Sequence, residues 1–198
     1  MTKPTVRVAN VVLAAALVLA ACAQAPEESG EPVARRVENA ELGVAIAGLP
    51  AAFEVVASEG PAIELALAEG EGRLEITAGE PGSSVNLVAA VEQHKARIEG
   101  LPGGDYKGGQ ELVVPSLPGA AYYSRGRYQG AAGAVVEETA VFLLHPEKDR
   151  ELRVLYTYPA GDDSADRLQN QLFAVVGELE GLPGVGEEPP PDSGAAPP

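Results

Sequence analysis

The chain predicts an α+β domain built on a mostly antiparallel sheet, and three observations carry that prediction. Segments in which apolar and polar residues alternate with period two recur through the middle of the chain. The connections between successive segments are short, which favours antiparallel neighbours. Two further stretches show helical spacing, and each has one apolar stripe that must be laid on the sheet. The expected arrangement is four strands, a helix, four strands and a helix, giving a sheet of about six to eight strands within residues 37–182.

The elements follow in order. Residues 42–47 form a short strand stopped by Gly48-Leu49-Pro50, and Phe53 to Ala57 form a second. Ile63, Leu65 and Leu67 alternate with Glu64 and Ala66, and Leu74, Ile76 and Ala78 alternate with Arg73, Glu75 and Thr77. The glycines of Glu69-Gly70-Glu71-Gly72 suit the hairpin between these two strands. Ser83 or Ser84 then caps a helix whose stripe is Leu87, Val88, Val91 and Ile98, with Gly100 as its stop. LPGGDYKGGQ, with four glycines, reads as a loop before a short strand at 111–114. Residues 120–129 form a longer strand, with Tyr122, Ser124 and Tyr128 on one face and Tyr123, Arg125 and Arg127 on the other. The segment 134–145 is the longest strand, and its AVFLL half is apolar on both faces, so both faces should be covered there. Leu152, Val154, Tyr156 and Tyr158 mark the last strand. Asp162 or Asp163 caps a final helix with the stripe Leu168, Leu172, Val175, Val176 and Leu179, ended by Gly181-Leu182-Pro183.

The ends of the chain read differently. Lys3 and Arg7 precede VVLAAALVLAA, an apolar run too short to span a bilayer comfortably, and small residues lead to Cys22. Residues 1–21 are therefore expected to be a secretory signal. The closing Leu19-Ala20-Ala21-Cys22 resembles the lipobox of bacterial lipoproteins. That resemblance implies diacylglycerol on the Cys22 thiol, cleavage just before it, and acylation of the new amine. It also implies a sorting step read at Ala23, which is not the aspartate that favours inner-membrane retention. The expected location is the periplasmic face of the outer membrane in a two-membrane host, or the outer face of the plasma membrane otherwise. The alternative is an ordinary signal cut near Ala21 or Ala23 with an incidental cysteine. Residues 22–36 then read as a flexible tether and residues 183–198 as a Pro/Gly-rich disordered tail, since neither can bury enough apolar surface to offset its ordering entropy. The alternative for the tail is a partner site in polyproline II form at its PPP run.

Composition narrows the function. With net charge −15 the chain is repelled by phosphate backbones, so nucleic-acid binding is not expected. A single cysteine allows no internal disulfide, and two distant histidines make no recognisable zinc site, so no metal and no cofactor are expected. His94 sits at the margin of its helix's stripe and reads as a boundary residue, and His145 as a loop-edge residue. No G-x-S-x-G elbow or phosphate loop occurs, and Ser124 lies mid-strand. Glu137 and Glu138 are adjacent on a strand and point to opposite faces, so they cannot act as a glycosidase pair. No catalytic residue is therefore expected. Tyr123, Arg125 and Arg127 are the candidate partner-binding residues, because tyrosine and arginine dominate binding hot spots. The competing reading is half-buried tyrosines under a helix and arginines paired to surface carboxylates.

Gly43, Leu49-Pro50, Phe53, Gly119-Ala120-Ala121-Tyr122, Phe142 and the Val154–Tyr158 strand before a terminal helix resemble domains of the Mog1/PsbP-like superfamily. The resemblance covers nearly the whole domain and implies an αβα sandwich that acts as a binding or assembly module, with no shared catalytic residues to carry over. The expected function is a non-catalytic, membrane-tethered module of the cell envelope, held by Cys22 and engaging an envelope partner. Two alternatives remain. A carrier of a small apolar ligand needs an enclosed pocket between sheet and helices. A hydrolase needs a serine–histidine or carboxylate pair within hydrogen-bond reach.

Overall fold

The computed structural model describes residues 35–80, 85–115, 117, 119–146, 149–161 and 165–182. The expected signal, Cys22, most of the tether, the C-terminal tail and the capping candidates Ser83, Ser84, Asp162 and Asp163 lie outside these residues.

The domain is α+β, as expected. Its larger sheet has seven antiparallel strands: β3 (Phe53–Ala57), β4 (Ala62–Leu67), β5 (Arg73–Ala78), β6 (Asp105–Leu112), β7 (Ala121–Gln129), β8 (Val135–Leu144) and β9 (Glu151–Pro159), in the spatial order 3-4-5-9-8-7-6. A second sheet has three strands: β1 (Arg35–Asn39), β2 (Val44–Leu49) and β10 (Leu179–Gly181), in the order 1-2-10. Helix α1 (Leu87–Gly100) lies on one face of the larger sheet, over β6, β7 and β8. Helix α2 (Ala165–Gly177) and the smaller sheet share the opposite face, where Leu168, Leu172, Val175 and Val176 pack with Ile46, Ile76, Val154 and Tyr156.

Pairing between neighbouring hairpins explains this order. β3, β4 and β5 form one meander, and β6 to β9 form another. They join where β9 returns beside β5, with Leu74 opposite Tyr156 and Ile76 opposite Val154. Both outer strands are bulged, β3 between Val55 and Ala57 and β6 between Tyr106 and Gly108, and such irregularities blunt open edges. The double-sided burial expected for β8 is present, with Glu138 through Leu143 all buried.

Several boundaries differ from the expectation for local reasons. The glycine-rich stretch is largely strand: Gly108, at φ +114°, takes the bulge and lets β6 run on to Leu112, leaving Val113 exposed. β1 begins at Arg35, within the expected tether. Leu179 belongs to β10 and not to the α2 stripe, because the helix ends at Gly177. Asn86 caps α1, its side chain accepting from the Ala89 N–H. The buried face of α1 is Leu87, Ala90, His94 and Ile98, while Val88 is 55% exposed. Gly126 on β7 is what lets this face come close. A Cβ there would lie 2.6 Å from Ile98 Cγ2, so only glycine fits without the buried Ile98 side chain having to shift.

Candidate functional site

Strand β7 carries the candidate residues, and its two faces have separate surroundings. Tyr123, Arg125 and Arg127 point to the α2 side. The Tyr123 ring is half-buried against Phe173 of α2, with centroids 5.8 Å apart. Arg125 Nη2 donates to Glu137 Oε2 at 2.6 Å, and the Tyr158 hydroxyl donates to the same oxygen at 3.1 Å. Burial, then the Glu137 charge, pushes the Tyr158 phenol up to about 12. Arg127 Nε donates to Asp105 Oδ2 at 2.9 Å. Lys107 and Arg127 together hold the Asp105 carboxyl below the usual carboxylate range. The three candidates therefore share one strand face, with each arginine already paired to a carboxylate of a neighbouring strand.

The other face of β7 meets α1, and here the structure brings together residues that looked unconnected in the sequence. His94 is buried, not a boundary residue. Its Nδ1 lies 2.7 Å from Ser124 Oγ and its Nε2 lies 2.8 Å from Glu138 Oε1. Arg97, one turn further along α1, pairs with the same Glu138 oxygen. The Tyr128 hydroxyl donates to Glu138 Oε2 at 3.3 Å, and Ser124 Oγ also lies 3.3 Å from the Tyr106 hydroxyl. Burial first, then the Arg97 and Arg153 charges, pushes the His94 pKa down to about 4. A neutral imidazole has one N–H, and a carboxylate can only accept. Nε2 therefore carries the proton and donates to Glu138, while Nδ1 accepts from the Ser124 hydroxyl. The ion pair of this cluster is Arg97–Glu138, and His94 contributes a neutral hydrogen bond.

Serine, histidine and glutamate thus stand in the order of a catalytic relay. Their accessibility opposes that use. Ser124 has 0% of its surface exposed, Glu138 1% and His94 6%. Ser124 sits mid-strand opposite Ala140, with no strand-to-helix turn to present its oxygen. The cluster satisfies polar groups beneath a helix whose remaining contacts are small and apolar. The signal available in the sequence was the pattern itself. His94 occupies the middle of the stripe 87-90-94-98, and Ser124 and Glu138 fall on strand faces that alternation turns toward that helix.

His145 is also buried, where a loop-edge position was expected. Its Nε2 lies 2.9 Å from the Leu42 carbonyl. Arg150 donates to the same carbonyl, so the β8–β9 loop grips the turn between β1 and β2. Glu137 and Glu138 do point to opposite faces, one toward Arg125 and one toward His94. Among the described residues, no group of three or more His, Cys, Asp or Glu side chains could hold a metal ion, and no helix is long and apolar enough to cross a membrane.

No family model and no curated protein matches the chain. Solved structures do. A protein of Bacteroides thetaiotaomicron superposes with TM-score 0.51 at 11% identity over 75% of this chain, which spans only 48% of that longer protein. LpqN of Mycobacterium tuberculosis, described as involved in cell envelope biogenesis, gives 0.46 at 12% identity, covering 76% of this chain and 86% of its own. Cyanobacterial PsbP from Synechocystis gives 0.48 at 10% identity, covering 78% and 95%. At such identities the likeness concerns the fold alone, and the α+β architecture is read from the two helices and the antiparallel sheets themselves.

Proposed function

We propose that this chain is a lipid-anchored, non-catalytic binding or assembly module of the cell envelope. Its anchor is Cys22, and its contact surface includes Tyr123, Arg125 and Arg127. The observation that carries the non-catalytic part is the complete burial of Ser124, which keeps the serine of the relay-like cluster away from a substrate, although His94 lines the cleft beside α1. The anchored part rests on the leader and on Leu19-Ala20-Ala21-Cys22. The contact surface rests on a row of arginines and a tyrosine already positioned by Glu137, Asp105 and Phe173.

Metabolic labelling with radioactive palmitate and membrane fractionation test the anchor. The wild-type chain takes up label and stays with membranes, and Cys22→Ala does neither. An unlabelled wild-type chain, or a Cys22→Ala chain that still sediments with membranes, contradicts the anchor. Crosslinking in intact envelopes tests the surface: Arg127→Glu should reduce capture of an envelope protein, and equal capture contradicts the assignment.

The hydrolase is the second reading, because the serine–histidine pair it requires is present. A fluorophosphonate probe separates the two. The buried arrangement predicts no labelling of Ser124, and labelling abolished by Ser124→Ala would establish the hydrolase. The carrier reading gains less support, since the clefts beside α1 are lined by charged as well as apolar side chains.

A further inference from the structure

Helix α1 covers only the β6–β7–β8 part of its face of the sheet, and a cleft of about 190 Å³ opens along its free edge, beside β9. This cleft is on the opposite face from Tyr123, Arg125 and Arg127. Phe142 and Leu155 form an apolar floor, Gln93, His94 and Arg97 line the helix wall, and Arg153 and Glu151 project from β9.

Two features of these residues call for a ligand with both charges. Arg36, Arg97, Arg125 and Arg127 each pair with a carboxylate, whereas Arg153, like Arg73 and Arg167 elsewhere on the surface, has no ion pair or hydrogen bond among the described residues, and it alone of these three lines the cleft. Glu151 is two residues before Arg153 on the same strand face, with its carboxyl half-buried and likewise without an ion pair among the described residues. Same-face residues two apart on a strand are separated by about 7 Å, whereas a charged hydrogen bond spans about 2.8 Å. A small body carrying a carboxylate and an ammonium fits between them, one charge on each. Arg97 is held on the helix side by its pair with Glu138, with its side chain 45% exposed, so that its remaining N–H groups can meet the carboxylate. The apolar floor leaves room for a short aliphatic side chain.

We propose that the cleft between α1 and β9 binds a small zwitterion, its carboxylate on Arg153 and its ammonium on Glu151. A free α-amino acid has this chemistry, and so does a phosphoethanolamine headgroup with phosphate in place of carboxylate. Titration calorimetry on the full chain tests the site with L-leucine, with isocaproate (no ammonium), with isopentylamine (no carboxylate), and with phosphatidylethanolamine vesicles. The expected result is that leucine or the vesicles bind, and that Arg153→Gln and Glu151→Gln each weaken binding at least tenfold. Each single-charge analogue should bind at least tenfold more weakly than leucine if leucine is the one that binds. Vesicle binding without leucine binding assigns the site to a headgroup. The proposal is overturned if neither zwitterion binds, if isocaproate or isopentylamine binds as well as leucine, or if both substitutions leave binding unchanged while circular dichroism shows the fold intact.

Discussion

The two helices cover one sheet from opposite sides, and they are held by different chemistry. Beneath α2 the sheet presents Ile76, Val154 and Tyr156, and the helix answers with Leu172, Val175 and Val176, all essentially inaccessible. Beneath α1 the sheet presents Ala140, Ser124, Gly126 and Glu138, and the helix answers with Ala90, His94, Arg97 and Ile98. Apolar packing supplies stability in proportion to the area it removes from water, but it tolerates small shifts of orientation. A buried polar network contributes less net energy and is satisfied in few geometries. Helix α2 closes the main core, whereas α1 is placed: His94 must reach Ser124 and Glu138 together, which sets both its rotation and its height on the sheet.

The largest expected effect is on the apolar side. Leu172→Ala removes a side chain with 0% exposure from the α2 stripe, and should cost about 3 kcal/mol in urea unfolding. A loss below about 1 kcal/mol would mean that α2 is not part of the main core. A comparable effect on the α1 side should come from pH. His94 titrates near its ordinary value of about 6.5 when unfolded and at about 4 when folded. Between these values the unfolded chain binds more protons. The stability associated with neutral His94 is therefore complete above pH 6.5 and is lost as pH falls toward 4, an amount on the order of 3 kcal/mol. His94→Gln should flatten that part of the profile relative to wild type, and an unchanged slope would remove His94 from the network.

Glu138→Gln should cost about 2 kcal/mol, because it removes hydrogen bonds to a charged group and leaves His94 in competition for one amide oxygen. Arg97 is 45% exposed on its side chain, so its freed charge can turn to water and the loss stays moderate. The smallest effect should come from Arg127→Ala. Its bond to Asp105 is exposed, and stability should change by less than about 0.5 kcal/mol. A stability change above 1 kcal/mol would make that arginine a structural residue and not a member of a free contact surface.

Much of this comparison was legible in the sequence on the α2 side and little of it on the α1 side. The alternation in Leu74–Ala78 and Leu152–Tyr158 places those strands correctly because period two depends only on local backbone geometry. The α2 stripe reads well for the same reason. His94 does not, because its meaning depends on Ser124 and Glu138, which are 30 and 44 residues away in the chain. Periodicity shows that a histidine lies near an apolar stripe, but not what lies across from it. The glycines near β6 suggest a loop because glycine signals turns on average, whereas Gly108 serves a bulge and Gly109 a close approach of strand and helix. Alternation alone puts Tyr123, Arg125 and Arg127 on one face. Their pairing to Glu137 and Asp105 needed the register of β6, β7 and β8.

The most direct test of how α1 is seated is nitrogen-15 NMR of the His94 imidazole between pH 7 and pH 4. A neutral ring protonated on Nε2, bonded to Glu138 and unchanged until pH approaches 4, is the predicted result. An imidazolium already formed at pH 6, or a proton residing on Nδ1, would contradict it.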